Sequence, residues 1–421
     1  EGVPAPEPEK PRAFSVKAKV FVDASYEGDL MAFSGVDYTV GREAISKYNE
    51  SLGGQRGLKY FDVDPHVVPG DPSSGVLPMI TTESYQPGAA SKYMIAYNFR
   101  LQWVQHGGTP LGPLGREIDR AKYELVVRGL ESDPKSISWP HRNYDRRAMV
   151  SSGVPARQTD YPHGDWAARS AIWRDWIDHV KTMCILCDVE NPQLLSSMYP
   201  DNNDFPDALY TRMGRRMSGQ YVVTQHDLMH QTEINDSIGL GYYAVDIYPP
   251  RLIAHDGKVA SEGEVFIRVS PGPYRISYRA LVPKKGQADN LIVPACMSAS
   301  HVAMASIRME STYAVMGEAA GIAAAHAIKS GRDVHGVDVA AIRADMKESG
   351  VITEWDGTGY GPRSRAHWNN REVYWRTHPD EYKKPIRLDP SWNTDDNWSR
   401  GRRGGVHVQA WDSQEVWNEA K

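Results

Sequence analysis

Cysteine is scarce: Cys184, Cys187 and Cys296 are the only three in 421 residues. Three thiols cannot staple a chain of this length, so a hydrophobic core has to hold the fold. Long apolar runs are missing too, and nothing approaches the roughly 20 residues that would span a bilayer. There is no excess of positive charge, with Lys+Arg 48 against Asp+Glu 53 and a formal net charge of −5. That excludes a global basic field for nucleic acid or an anionic membrane. Phenylalanine is sparse at 7 against 22 Tyr and 12 Trp, so aromatic surface tends to carry a polar handle suited to sugar rings. What is present is 41% apolar and 24% charged, enough for a soluble chain of about two or three domains. The opening EGVPAPEPEKPR is Pro-rich and polar and reads as a linker, without the shape of a signal peptide. The compartment stays open between cytoplasm and periplasm or secretion.

Two segments have an α/β character. Ala18 to Val22 is short and β-branched like a buried parallel strand, and it ends in the acidic turn Asp23-Ala24-Ser25. Asp29 is the expected N-cap of a short helix that stops at Gly35. In open α/β sheets such turns lie at the carboxyl edge, where ligands bind. Asn290 to Pro294 is a second buried strand, followed by the loop CMSASHVAMASIRME and the helix STYAVMGEAAGIAAAHAIKSG. The helix is crowded with Gly317, Ala319, Ala320, Gly321 and Ala323 to Ala325, small enough for close approach to a sheet or a cofactor, or for tight packing alone. Between these segments, residues 46 to about 210 read as helical and irregular, with helical spacing over 166–190. From about Gln220 the runs YVVTQ, YYAVDIY, RLIAHDGKV, EVFIRV and YRISYRAL read as an antiparallel sheet. After Gly350 seven of the twelve tryptophans (355, 368, 375, 392, 398, 411 and 417) mark an aromatic extension anchored on the body.

Several motifs carry less than their spacing suggests. Gly239-Leu-Gly-Tyr-Tyr-Ala244 follows a polar stretch and runs into a strand, so it is not a pyrophosphate turn. His226 and His230 have metal-like i, i+4 spacing, but YVVTQ before them suggests a strand end where that spacing does not converge. No metal is expected there; His226 and Asp227 are candidates for a polar pocket wall facing substrate, or are structural. Cys184 and Cys187 lie in an apolar helical run and read as buried core thiols. Arg275 and Arg279 flank a strand near the expected pocket and could bind a carboxylate.

The blocks VFVDASYEGDLMAFSGVDYTVGRE, DVDPHVVPGDPSSGVLP, AYNFRL, YVVTQHDL, DSIGLGYY, YRISYRALVPK and LIVPACMSASHVAMASIRMESTYAVMGEAAGIAAAHAI occur in order from about residue 17 to 350. Together they resemble the bacterial FAD-dependent oxidoreductase family, many of whose members are named xanthan lyases. The resemblance implies an α/β chain with a discontinuous FAD-binding domain, Rossmann-like and of the glutathione-reductase type. An inserted α+β substrate domain and an irregular Trp-rich C-terminal extension complete it. The implied boundaries are residues 1–45 (linker and part of the FAD-binding domain), 46–285 (insert), 286–350 (the rest of the FAD-binding domain) and 351–421 (extension).

By the same resemblance Asp23, Ala24, Ser25, Glu27 and Gly28 approach the dinucleotide. Ser300, His301, Ser306, Ile307 and Arg308 line the flavin side, with Gly317 on the helix beyond. Amides at a helix start, together with Arg308, would favour negative charge on a reduced flavin. His301 is the expected catalytic base or flavin-adjacent hydrogen-bond donor, with His226 and Asp227 as further catalytic candidates. The implied activity is oxidation of a small polar substrate, a sugar in particular, by hydride transfer to flavin. The family's Gly-x-Gly-x-x-Gly turn should precede the strand at Val20, and nothing upstream supplies it. Either an N-terminal segment or a partner chain provides it, or FAD binding has been lost. The alternatives are therefore a non-redox carbohydrate-binding or lyase-type protein on the same scaffold, and an accessory chain that completes another subunit's flavin site. A homo-oligomer is left open.

Overall fold

The computed structural model describes residues 15–132, 149–151, 153–267, 269–270 and 272–355. The opening linker through residue 14 and all late tryptophans but Trp355 lie outside the described residues. Trp355 packs its ring against Gly272, where a Cβ would collide with it.

A parallel pair joins the two α/β segments. Strand β1 (Phe21–Val22) lies beside β10 (Leu291–Ile292), with Phe21 opposite Leu291 and Val22 opposite Ile292. Both are shorter than the apolar runs from which they are expected, since among the described residues each finds its ladder partner in the other alone. Helix α1 (Asp29–Phe33) follows β1, and its N-cap is Gly28 at φ 63°, not Asp29 as expected. Asp29 is instead the first helical residue, where a carboxylate suits the helix dipole.

Between the two segments lie the one-turn helix α2 (Ile45–Tyr48) and the longer α3 (Arg120–Ser132) and α4 (Trp166–Leu186). Helix α4 is the one its spacing predicts, capped by Asp165, which accepts from the Ala168 amide. Strands β2 (Leu58–Phe61), β3 (Ile80–Thr81), β6 (Arg251–His255) and β7 (Lys258–Glu262) form one sheet in the order β2-β7-β6-β3. The β6–β7 hairpin turns at Asp256-Gly257, both at positive φ, as an Asp-Gly turn requires.

Strand β4 (Ser237–Gly241) pairs antiparallel with β9 (Tyr274–Ser277), and β5 (Val245–Ile247) pairs with β8 (Val265–Ile267). The run YVVTQ forms no strand: Val223 makes a single bridge to Ala299, and Thr224 caps the one-turn helix α5 (Gln225–Leu228). That corrects the strand-end setting expected for His226. A capping box wins there because Thr224 and Asp227 satisfy each other's amides.

The loop expected after β10 is partly helical. Ser300 accepts from the Ala303 amide and starts α6 (His301–Ile307), and α7 (Glu310–Ser330) ends at Gly331 in the left-handed region. Helix α8 (Val339–Glu348) packs on α7. The largest hydrophobic cluster joins residues of β4, β5, β8, β9 and β10 to α5, α6, α7 and α8. Residues on both sides of position 285 therefore share one core.

Of the roles expected for the glycines of α7, close approach to the sheet is not what they do. On α7, Gly317 and Gly321 face open space, and the buried face is Thr312, Met316, Ala319, Ala320, Ala323 and Ala327. The close approach to the sheet is made from the other side, where a Cβ on Gly239 of β4 would collide with Val315 of α7. Gly241 likewise leaves room for the Tyr274 ring, which gives the Gly-Leu-Gly run a packing role.

Candidate functional site

Two turns meet at the carboxyl ends of β1 and β10. In the first, Asp23 is buried and closes the turn upon itself. Its Oδ2 accepts from the Met31 amide at 2.9 Å, and its Oδ1 accepts from the Ser25 hydroxyl at 2.6 Å and the Ser25 amide at 3.2 Å. Ser25 Oγ in turn accepts from the Gly28 amide at 3.0 Å. These side chains brace the turn, and a Cβ on Gly28 would press on Cys296 Sγ and Met31. Glu27 accepts from Tyr161 Oη at 3.3 Å, while Asp29 is held by Arg169 and Arg215, whose hydrogen bonds keep its carboxyl below the usual range.

The second turn, Ala295 to Ser300, lies against the first, with Cys296 Sγ 3.4 Å from Ser25 O and 3.3 Å from Tyr26 O. Burial raises the Cys296 thiol, so it is inert as a nucleophile. The Tyr26 and Tyr313 rings meet edge to face at 5.6 Å, bringing the acidic turn to the start of α7.

Beyond that turn is a buried polar hub that sequence reasoning missed. Residues 43 to 50 loop around α2, and Asn49 in the left-handed region reverses the chain so that Glu43 and Glu50 both reach the start of α6. Glu50 Oε1 accepts from Ser300 Oγ at 2.5 Å and from the Gln225 amide at 2.7 Å. Burial pushes its carboxyl up to about 7, against those hydrogen bonds. Glu43 Oε2 accepts from the His301 amide at 3.0 Å, and its Oε1 pairs with Arg216 at 2.6 Å. Burial opposes ionisation of Glu43 too, but the Arg216 ion pair outweighs it and holds this carboxyl low. Arg216 also donates to the Ala299 carbonyl at 3.0 Å, fixing the loop into α6. Two glutamates seven residues apart around the mixed segment Ala44 to Asn49 were the available signal, but nothing in that segment marks them as buried.

His301 is 2% exposed, and its Nε2 has no hydrogen-bond partner. Burial, then Arg216, Arg42 and Arg308, drive its pKa well below the ordinary value, so the ring is neutral at pH 7. A neutral imidazole can donate or accept a hydrogen bond, while holding a proton beside three guanidinium groups is costly. At the other end of α6, Arg308 donates to Asp246 O at 2.9 Å, and its Nε is buried without a partner. Ser306 is spent on the fold, donating to Tyr243 O at 2.8 Å with the Tyr274 hydroxyl at 2.8 Å, and Ile307 is fully buried in the core.

His226 and Asp227 sit across the hub. His226 Nε2 donates to Tyr48 O at 3.0 Å, and its Nδ1 meets Gln231 Oε1 at 2.8 Å. Asp227 accepts from the Thr224 amide at 2.7 Å and from the Tyr221 hydroxyl. His230 points elsewhere, toward Gly272 O at 3.3 Å. The structure thus brings Ser300, His301 and α5 together around Glu43 and Glu50, and engages His226 and Asp227 in local bonds. Arg279 pairs with Asp236 at 2.9 Å, and Arg275 meets Ile234 O at 3.4 Å.

A model of the family described as FAD dependent oxidoreductase matches residues 7–346. No curated protein and no solved structure matches the chain.

Proposed function

The chain belongs to the FAD dependent oxidoreductase family and is an enzyme with FAD as its cofactor; from that premise we propose that it oxidises a small polar molecule, a sugar first among them, at the start of α6. When bound, FAD supplies the electron acceptor for a hydride leaving the substrate carbon. Two features support such a group at the flavin end. His301 Nε2 is an orphaned buried polar atom, and Gly317 and Gly321 leave the outer face of α7 bare. Ser300, His301, Arg308 and Gly317 are the groups we assign to that end. The backbone of Asp23, Ala24, Ser25, Glu27 and Gly28 is assigned to the dinucleotide side, because the side chains of Asp23 and Ser25 are already engaged within the turn.

The observation that carries the reading is the unpartnered Nε2 of a neutral, buried His301 at the carboxyl edge of a parallel pair. In this proposal His301 orients the substrate hydroxyl by a hydrogen bond. Glu50, poised near neutrality and linked to α6 through Ser300, takes the proton. Ser306 and Ile307 support the site from the core, and His226 and Asp227 shape it through α5. Replacing His301 by Ala is expected to slow single-turnover flavin reduction by about 10² or more with flavin content retained. Unchanged reduction removes the role. A panel of free sugars, scored by bleaching of the flavin band, tests the substrate class suggested by the likeness to proteins named xanthan lyases.

We further propose that the FAD-binding part comprises residues 1–45 and 286–350 around the insert 46–285, with the dinucleotide turn supplied by polypeptide outside the residues given. The support is the open flank of the parallel pair: Val22 is 40% exposed, and Leu30 and Phe33 of α1 are exposed alongside it. Parallel sheets are normally covered on both faces. The intact mass and absorbance of the native particle test this. An extra chain or segment with flavin supports it, and a particle that releases no flavin on denaturation favours the non-redox scaffold instead.

A further inference from the structure

We propose that Asp289, Asp333 and His335 form a divalent-cation site that ties the entry of β10 to the loop between α7 and α8. One ligand atom from each of the three lies within 4.8 Å of the others. His335 Nδ1 is 3.9 Å from Asp289 Oδ1 and 4.0 Å from Asp333 Oδ1.

Two carboxylates alone would mean little; the histidine makes the argument. Its side chain is 2% exposed. Its Nε2 lies 2.9 Å from the Pro283 carbonyl, which can only accept, so Nε2 carries the proton. Nδ1 then faces one carboxylate oxygen each of Asp289 and Asp333 at 3.9 and 4.0 Å and has no hydrogen-bond partner. A buried nitrogen without a partner is costly, and a cation held between it and the two carboxylates gives all three a common partner.

The surroundings hold these groups as metal ligands are commonly held. The Pro283 carbonyl fixes the tautomer and the ring plane. Asp333 Oδ1 is oriented by the amides of His335 at 3.0 Å and Gly336 at 2.7 Å. The Val334 amide donates to Asp289 O at 3.0 Å, and Tyr278 Oη donates to Val334 O at 2.8 Å, locking the loop against the strand entry. Ligand atoms sharing one zinc lie roughly 3.3–3.6 Å apart, given bond lengths near 2.1 Å. Closing the two His335 distances takes about 0.5 Å and the carboxylate pair, within 4.8 Å, at most about 1.5 Å, which the 68% exposed Asp289 side chain can supply. One imidazole nitrogen with two carboxylates suits Zn²⁺ or Mn²⁺ better than Ca²⁺ or Mg²⁺, which favour all-oxygen shells. The site precedes β10, whereas the Ser300–His301 hub follows it, so a structural role is assigned and nothing here rests on flavin.

The test uses the whole protein, stripped with chelator and desalted, then titrated with Zn²⁺ alone by calorimetry and with Mn²⁺, Mg²⁺ and Ca²⁺ in parallel. One equivalent of Zn²⁺ should bind and raise the melting temperature. Asp289→Asn, a change at an exposed side chain, should weaken binding about tenfold or more while leaving the metal-free melting temperature unchanged. His335→Gln should abolish the Zn²⁺-dependent rise. Absence of saturable binding, or Zn²⁺ binding equal in wild type and Asp289→Asn, overturns the site. Ca²⁺ or Mg²⁺ binding as tightly as Zn²⁺ overturns the ligand assignment.

Discussion

At the scale of single residues, Glu50 carries the sharpest consequence. Its carboxyl titrates near 7 in the fold against 4.5 as the ordinary value, so the fold favours the protonated form. Relative stability from this group is full below about pH 4.5 and is lost as pH rises through 7. Glu50→Gln keeps an acceptor for Ser300 and Gln225 and has no charge to bury. Compared with wild type it should gain up to about 3 kcal/mol between pH 4.5 and pH 8, read by urea unfolding at the two pH values. If Glu50 also takes the substrate proton, the same variant lowers the rate of flavin reduction while substrate affinity holds. Glu262 is the opposite kind of buried acid. Burial opposes its charge, but Arg42 at 2.6 Å and Arg251 at 3.1 Å keep it ionised. Glu262→Gln leaves two buried guanidinium groups short of their anion and should cost about 3–5 kcal/mol, checked by denaturant midpoint.

At the scale of elements, α7 and β4 make opposite predictions for the same substitution. Gly239→Ala drives a methyl into Val315 and should destabilise by about 1–3 kcal/mol. Gly321→Ala meets open space in a helix interior and should stabilise the cofactor-free protein by up to about 1 kcal/mol. If the bare face of α7 lies against the flavin, Gly321→Ala with Gly317→Leu should nevertheless reduce flavin retention. Melting temperature and released flavin, measured on the same preparation, separate the two effects. The elements also divide by legibility. Helices α4 and α7 were readable because spacing and caps are local, whereas the Asp-Gly hairpin lay inside RLIAHDGKV, which read as a single run. Helix α6 was not readable, since its seven residues are buried on every side, leaving no polar face to set a period, and only Ser300 marks its start. The setting of α5 was misread because β-branched Val222 and Val223 precede a capping box that overrides them. The acidic turn was legible as a turn at a strand end, but that Asp23 and Ser25 would spend their oxygens on its own amides was not.

For the whole molecule, acid sensitivity should come from buried neutral histidines. Burial drives His179 down to about 4 from 6.5, and it lowers His301 well below that ordinary value as well. Depressed pKa values give stability that is present above pH 6.5 and is lost as pH falls through the folded values. His179 should therefore contribute about 3 kcal/mol of acid lability between pH 6.5 and 4. His179→Gln should flatten that part of the stability profile in unfolding measurements. The candidate site was half legible at this scale: block order pointed to Ser300, His301 and Arg308. Glu43, Glu50 and Arg216 act through contacts 83 to 258 residues distant in sequence, which no local pattern encodes.

The continuous apolar cluster running from β4, β5, β8 and β9 into α6 and α7 bears on how a reactant gets in. Because one apolar cluster runs through these strands and helices, hinging them apart would expose that shared core to water. Any movement that admits a reactant therefore falls to side chains outside that core, such as the exposed Tyr26 and Glu310.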